Sequence, residues 1–207
     1  MTKLILIGAG GHSKVIQDIV AEDKDFALYA IVDDAFDDMN EVDGIIYANT
    51  SFLEGISVKN YLFCVAIGNN NIRRNLYNKF NIPLESYATL VHPSAVISKS
   101  AKIGHGTVVM PNGVVNADTI IGNHCIVNTN SVIEHDNIIG DYVHISPNAT
   151  LSGAVTVDEG THVGAGSVVI PSKNIGSWST VGAGSVVINN IMENVTVVGV
   201  PAKELKP

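Results

Sequence analysis

Hydrophobic residues recur along this chain with two different rhythms, and the change of rhythm marks two domains. From residue 91 to residue 192 an aliphatic side chain returns at every sixth position. Val91, Ile97, Ile103, Val109 and Val115 open a column that continues unbroken to Val181 and Val187, seventeen members in all. Four places after each member the residue is usually small, as at Ala95, Ala101, Thr107, Gly113, Thr119, Cys125 and Ser131. Neither an amphipathic helix nor a sandwich strand has a period of six. A fixed short repeat of this kind predicts a stacked parallel β-helix. Three hexads make one triangular coil of eighteen residues, with the aliphatic residue pointing inward and the small one fitted near a corner. At the usual strand spacing the prism is ~27 Å tall.

The first 88 residues follow another pattern. Residues 3–7 form a short buried strand, and Gly8, Ala9, Gly10, Gly11, His12 and Ser13 turn it into a helix over residues 14 to about 21. Glycines there let a backbone approach a phosphate, and the helix start offers free N–H groups and a positive dipole end. A second strand over residues 27–32 ends in Asp33 and Asp34, about twenty residues after the turn, where a carboxylate in a nucleotide fold meets a ribose hydroxyl or a base. A third strand is expected near residues 44–47. A fourth, over residues 61–67, ends at Gly68, Asn69 and Asn70 and opens a helix over residues 72–80. Such strand-end turns are where open α/β sheets bind ligands. Only about 85 residues precede the prism, room for one mononucleotide-binding half of a doubly wound sheet. A nucleoside diphosphate of an activated sugar is therefore favoured over NAD, with a plain tight turn as the structural alternative. The division is 1–88 for an α/β half-Rossmann nucleotide-binding domain and 89–207 for the all-β parallel helix.

Composition narrows the function. Net charge is −8 with no cluster of Lys and Arg, which argues against a nucleic-acid partner. Mean hydropathy is positive at +0.26, yet the apolar residues are spaced by the hexads and no run approaches the ~20 residues that span a bilayer. The first residues lack a signal-peptide pattern, so a cytoplasmic location is expected. Cys64 and Cys125 read as buried packing residues, with neither a disulfide framework nor a zinc site suggested.

The coil arithmetic also sorts the seven histidines. Residues eighteen apart stack on one face, so Gly153 lies over His135 and Ala117 beneath it, which leaves an open imidazole on an outward position. Asp136 or Glu134 is placed to fix its tautomer, and a histidine titrates near the working pH of a general base. An ordinary surface histidine is the alternative. His144 is half a coil away on another face, with His162 stacked over it. The two histidines serve one site only if a second subunit supplies one of them, which predicts a homotrimer of parallel prisms. A three-histidine zinc site is disfavoured because His124, His135 and His144 lack a close pair of ligands.

Taken together, Val132 to Ser146 around His135 and Asp136, the N-terminal glycine turn, Asp33 and Asp34, the Ala66 to Asn70 segment and the terminal Val198 to Lys203 resemble bacterial sugar O- and N-acetyltransferases of the NeuD/PglD type, hexapeptide-repeat enzymes with a left-handed β-helix. The resemblance covers both domains in order. It implies that His135 is the proton acceptor, with Asp136 raising its basicity where the family often has Glu. It implies acetyl-CoA as co-substrate, with no metal, held by His144 and by Ala165 and Ala183, which stand in one column. It implies that Gly10, Gly11, His12, Asp33 and Asp34 contact a sugar nucleotide, and Gly68 and Gly153 complete the expected site. The expected reaction is N-acetylation of a nucleotide-activated amino sugar, such as a UDP-4-amino-4,6-dideoxy sugar. O-acetylation of a sialic acid-type sugar and a non-catalytic nucleotide-sugar scaffold are the alternatives.

Overall fold

A computed structural model describes residues 1–205. The N-terminal domain is a five-stranded sheet built from β1 (Thr2–Ile7), β2 (Phe26–Val32), β3 (Asn40–Val42), β4 (Ile45–Ala48) and β5 (Leu62–Val65). Its order is β3-β4-β2-β1-β5, parallel throughout except for β3, which pairs antiparallel with β4. Helix α1 (Gly11–Glu22) follows β1, and α2 (Asn70–Phe80) follows β5. Each face of the sheet carries a core. One packs Leu4, Leu6 and Ile31 against Ile16 and Ile19 of α1, and the other packs Ile5, Val32 and Phe63 against Tyr87 and the α2 residues Leu76 and Tyr77. Successive strands step outward from β1 on one side, and β5 then returns to its other side. That reversal creates a crevice at the carboxyl ends of β1 and β5, the position where open parallel sheets take their ligands.

The expected elements appear with shifted ends. Helix α1 starts at Gly11, earlier than the glycines suggested, because first-turn N–H groups have no intrahelical partner and glycine costs little there. Helix α2 starts at Asn70, since Asn69 caps it by accepting from the Ile72 N–H at 3.0 Å. Strand β3 was not expected. Its three residues are all exposed and carry no alternation for a sequence to display.

The second domain is the parallel β-helix expected from the hexads, with the left hand that the family resemblance implied. Two-residue strands stack into three sheets. The first holds six strands, from Val96–Ile97 up to Val186–Val187, and the second five, from Lys102–Ile103 to Asn174–Ile175. The third has eight, from Leu90–Val91 to Lys203–Glu204. Register is a whole coil: Ile133 pairs with Val115 below and Leu151 above. The last coil is shorter, with Thr180 pairing to Thr196. The inward column forms one continuous core.

The corners depart from the sequence reading in one detail. The tight position is the third after each aliphatic residue, held in the left-handed region at Asn112, Asp118, His124, Asn130, Asp136, Tyr142, Asn148 and Ala154. The small fourth residue sits inside that corner. A threonine hydroxyl there donates to a carbonyl of the next coil, as Thr107 does to Gly122 and Thr161 to Gly176, each at 2.8 Å, while Ser131 and Ser167 donate to carbonyls of their own coil. The small column thus satisfies buried backbone oxygens as well as fitting the space.

Helix α2 ties the domains together by lying along one corner of the prism, the column His124, Tyr142, Gly160 and Trp178. The His124 ring stacks on Tyr142 with planes 3° apart, and Tyr77 of α2 lies 4.8 Å from it. The Arg74 guanidinium lies 4.1 Å from the Trp178 ring centroid, and the Asn70 amide donates to the Gly160 and Thr161 carbonyls. A Cβ at Gly160 would run into the Trp178 ring, so only glycine fits below that indole.

Candidate active site

His135 follows the first-sheet strand Val132–Ile133 and is exposed at the corner leading to the second sheet. Its Nδ1 lies 2.7 Å from Asp136 Oδ2, and this hydrogen bond raises the imidazole pKa above its ordinary value. The bond keeps the proton on Nδ1 and leaves Nε2 as the free base nitrogen. Asp136 reaches the ring because its own backbone is left-handed, as at Asp118 one coil below and Ala154 one coil above. Gly153 stands directly above. A Cβ there would approach His135 Cε1 to 2.6 Å, so the ring rests against bare backbone.

Sequence reasoning missed Asn137. It replaces the usual small residue inside this corner and is fully buried. Its amide nitrogen donates to the carbonyls of Glu134 at 2.6 Å, His135 at 3.2 Å and Ser152 at 3.0 Å, bracing the backbone on both sides of the histidine. The signal was available as a break in the small column.

His144 lies in the third sheet, away from His135 within one chain, and faces the N-terminal domain. Its ring is stacked under His162 at 4.9 Å. Asn128 Oδ1 accepts from the Thr129 N–H, which turns its amide nitrogen toward His144 Nε2 at 3.0 Å. Nε2 therefore accepts, and Nδ1 carries the proton toward the Gly68 carbonyl at 3.2 Å. Burial, with the nearby His162 and Arg73, lowers the His144 pKa to about 3, so the ring is neutral. His12, in the first turn of α1, is lowered to about 4 by burial and Arg73, and its Nε2 is buried without a partner. Beside His144 is a cavity of about 400 Å3 lined by Gly68, Asn69, Asn71, His162, Trp178 and Thr180, among others.

Arg73 was also missed. It is 1 % exposed and packs where the two domains meet. Its Nε donates to the His124 carbonyl at 2.6 Å. Nη1 donates to Ile67 and Gly68, and Nη2 to Asn70 Oδ1 and the Tyr142 carbonyl. In the sequence it reads as one more charged helix residue.

The remaining expected residues divide by what already engages them. Asp33 accepts from the Ala9 and Ala35 N–H groups, and so pins the glycine turn. Asp34 accepts from the Thr50 backbone and hydroxyl, which lower its pKa, with Lys79 at 3.7 Å. Gly10 and Gly11 are exposed, and a Cβ at either would meet nothing, so the space before α1 is open. Ala165 and Ala183 are exposed one coil apart, joined by the Gly184 N–H donating to the Ala165 carbonyl. Among the described residues no cluster of three His, Cys, Asp or Glu side chains is arranged to hold a metal, and no helix is long and apolar enough to cross a membrane.

A parallel α/β sheet docked on a hexapeptide prism, with a histidine–carboxylate pair at a prism corner, is a two-domain architecture shared with known transferases. The comparisons agree: residues 3–80 match the PglD N-terminal domain, and residues 118–153 match the bacterial transferase hexapeptide model of six repeats. The acetyltransferase domain of PglB from Neisseria gonorrhoeae FA1090 is 36% identical, with 99% of this chain and 100% of that chain covered and a TM-score of 0.89. PerB from Caulobacter crescentus, solved with CoA and GDP-perosamine, is 34% identical over 99% of this chain and 97% of that one, also at a TM-score of 0.89. UDP-N-acetylbacillosamine N-acetyltransferase of Bacillus subtilis (strain 168) is 46% identical over 111 residues, and the match spans about half the length of that relative, 50%. The chain belongs to the bacterial sugar acetyltransferase family of the NeuD/PglD type.

Proposed function

We propose that this protein transfers the acetyl group of acetyl-CoA to the amino group of a nucleotide-activated sugar, a UDP-4-amino-4,6-dideoxy sugar. The observation that carries the reading is the exposed His135–Asp136 pair beneath Gly153, in a chain alignable end to end with relatives named as acetyltransferases. The UDP form is favoured because the Bacillus subtilis relative, named for a UDP-amino sugar, is more nearly identical over its matched region than the GDP-perosamine enzyme.

In the proposed reaction the neutral sugar amine attacks the thioester carbonyl. His135 Nε2 takes the proton that the nitrogen sheds, while Nδ1–H stays on Asp136 and the carboxylate stabilises the imidazolium. That proton then passes to the departing CoA sulfur. Oxyanion stabilisation is assigned to the Gly153 N–H above the ring. Ala165 and Ala183 fit a linear pantetheine: both are exposed, and among the described residues neither N–H has an acceptor. Gly10, Gly11 and His12 at the start of α1, with the Asp33–Asp34 turn and Gly68, are assigned to the nucleotide sugar. The active assembly is a cytoplasmic homotrimer in which His135 of one prism faces His144 of the next. Val96, Ile120 and Ile138 support this as exposed apolar residues on the two prism faces that α2 leaves bare.

The test is CoA release, followed with a thiol reagent, against UDP-amino sugars, GDP-perosamine, UDP-sugars lacking the amine and free sialic acid. Turnover of UDP-amino sugars is expected, with His135→Ala lowering kcat by about 10²- to 10⁴-fold. Turnover of hydroxyl acceptors alone would move the assignment to O-acetylation. Near wild-type activity in His135→Ala would remove the base.

A further inference from the structure

Arg73 has no direct part in the chemistry above, yet each of its five N–H donors meets an oxygen, and none of those oxygens belongs to a carboxylate. Burying a guanidinium against carbonyls alone is a costly way to join two domains, and an apolar side chain of the same volume packs at lower cost. What the fork supplies is geometry. Nη1 draws in two consecutive carbonyls, Ile67 at 2.9 Å and Gly68 at 3.2 Å, and the Gly68 oxygen also receives the His144 Nδ1–H.

In a planar trans peptide the C=O and N–H point to opposite sides. Gathering these two carbonyls onto Arg73 therefore turns the Gly68 and Asn69 N–H groups away from it. Among the described residues neither N–H has an acceptor. Both residues line the cavity beside His144, and both follow β5 at the crevice where the sheet reverses. We propose that Arg73 is a positioning residue for the acceptor substrate, fixing the 67–69 backbone so that Gly68 and Asn69 present a pair of N–H donors to oxygen atoms of the nucleotide sugar. The oxygens are diphosphate or sugar hydroxyl. This inference rests on the nucleotide-sugar reading of the first domain.

The experiment follows the Gly68 and Asn69 amide resonances of the full chain by NMR during addition of UDP alone and then of a UDP-amino sugar, beside kinetics of wild type and Arg73→Lys, which keeps the charge and loses the fork. Both resonances are expected to move, with UDP alone if the diphosphate is the partner and only with the sugar if a hydroxyl is. Arg73→Lys is expected to raise KM for the nucleotide sugar about tenfold while KM for acetyl-CoA stays within about twofold. Turnover by wild type with unmoved resonances would overturn the proposal and leave the enzyme assignment intact. Moved resonances without turnover would do the reverse. A less thermostable Arg73→Lys with an unchanged nucleotide-sugar KM would reduce the residue to a structural tie. Should that variant fail to fold, the wild-type resonances decide alone.

Discussion

At the scale of single residues, the histidines divide by environment. His135 is exposed beside a carboxylate, and its pKa is raised. His12, His124, His144 and His162 are enclosed near Arg73, and theirs are lowered, chiefly by burial. His124 is fully buried among Tyr77, Tyr87 and Tyr142, and neither ring nitrogen has a partner. Its pKa falls from 6.5 to about 4, so the folded chain binds fewer protons than the unfolded chain in that interval. The stability it contributes is complete above pH 6.5 and is lost as pH falls toward 4. Thermal unfolding followed from about pH 7 to about pH 4 is expected to show a falling Tm, with a shallower fall in His124→Phe. That variant is expected to fold because Tyr142 and Trp178 hold equivalent left-handed corners. Equal slopes in the two proteins would assign the acid loss to other groups.

At the scale of elements, the His135 corner depends on a bare backbone one coil above it. A methyl at position 153 displaces the His135 ring rather than the coil, because the atoms it meets are the ring's Cε1 and Nε2. Gly153→Ala is therefore expected to lower kcat by about 10-fold or more, since a misplaced base loses its alignment with the nucleophile. Its Tm is expected to stay near that of wild type, and unchanged kinetics would show that the ring has room to spare. The prism and this stacking were legible in the sequence because the hexad is imposed by the backbone: every hexad must put one aliphatic side chain inward, so the column from Val91 to Val187 records the fold directly. The half-Rossmann domain was legible from strand, glycine turn and helix. The exposed β3 was not, and neither was the α2 contact. The latter depends on corner side chains such as Trp178 pointing outward, where the repeat places no constraint, to meet residues about a hundred positions earlier. Arg73 was hidden for the same reason, since five of its neighbours' oxygens, and no charge pattern, define its place.

At the scale of the whole molecule, α2 joins the two domains through hydrogen bonds, tilted ring contacts and the Arg74–Trp178 contact, while Ile16 and Ile19 of α1 share a core with Leu90, Val108 and Met110 of the prism, so the crevice of the N-terminal sheet is oriented relative to the prism by two helices. His144 faces that crevice while His135 stands on another side, and sharing of the site between subunits follows from the proposed trimer. Mixing inactive His135→Ala and His144→Ala chains, then refolding or coexpressing them, is expected to restore about a quarter of wild-type activity, the fraction of interfaces at which both intact histidines meet. No restoration would confine the site to one chain and remove the functional reason for a trimer. The register adds a rule about length. Each face returns after eighteen residues, as His144 to His162 and Ile133 to Leu151. Gaining or losing a full turn leaves every side chain on its own wall and alters only height. Gaining a single hexad between His144 and Ala165 would rotate everything above it by a third of a revolution, carrying Ala165 and Ala183 off their side while the glycine turn, α2 and His135 stayed behind. The span from His135 to Ala183 is thus a ruler graduated in whole turns, and insertions within it are compatible with one site only at those marks.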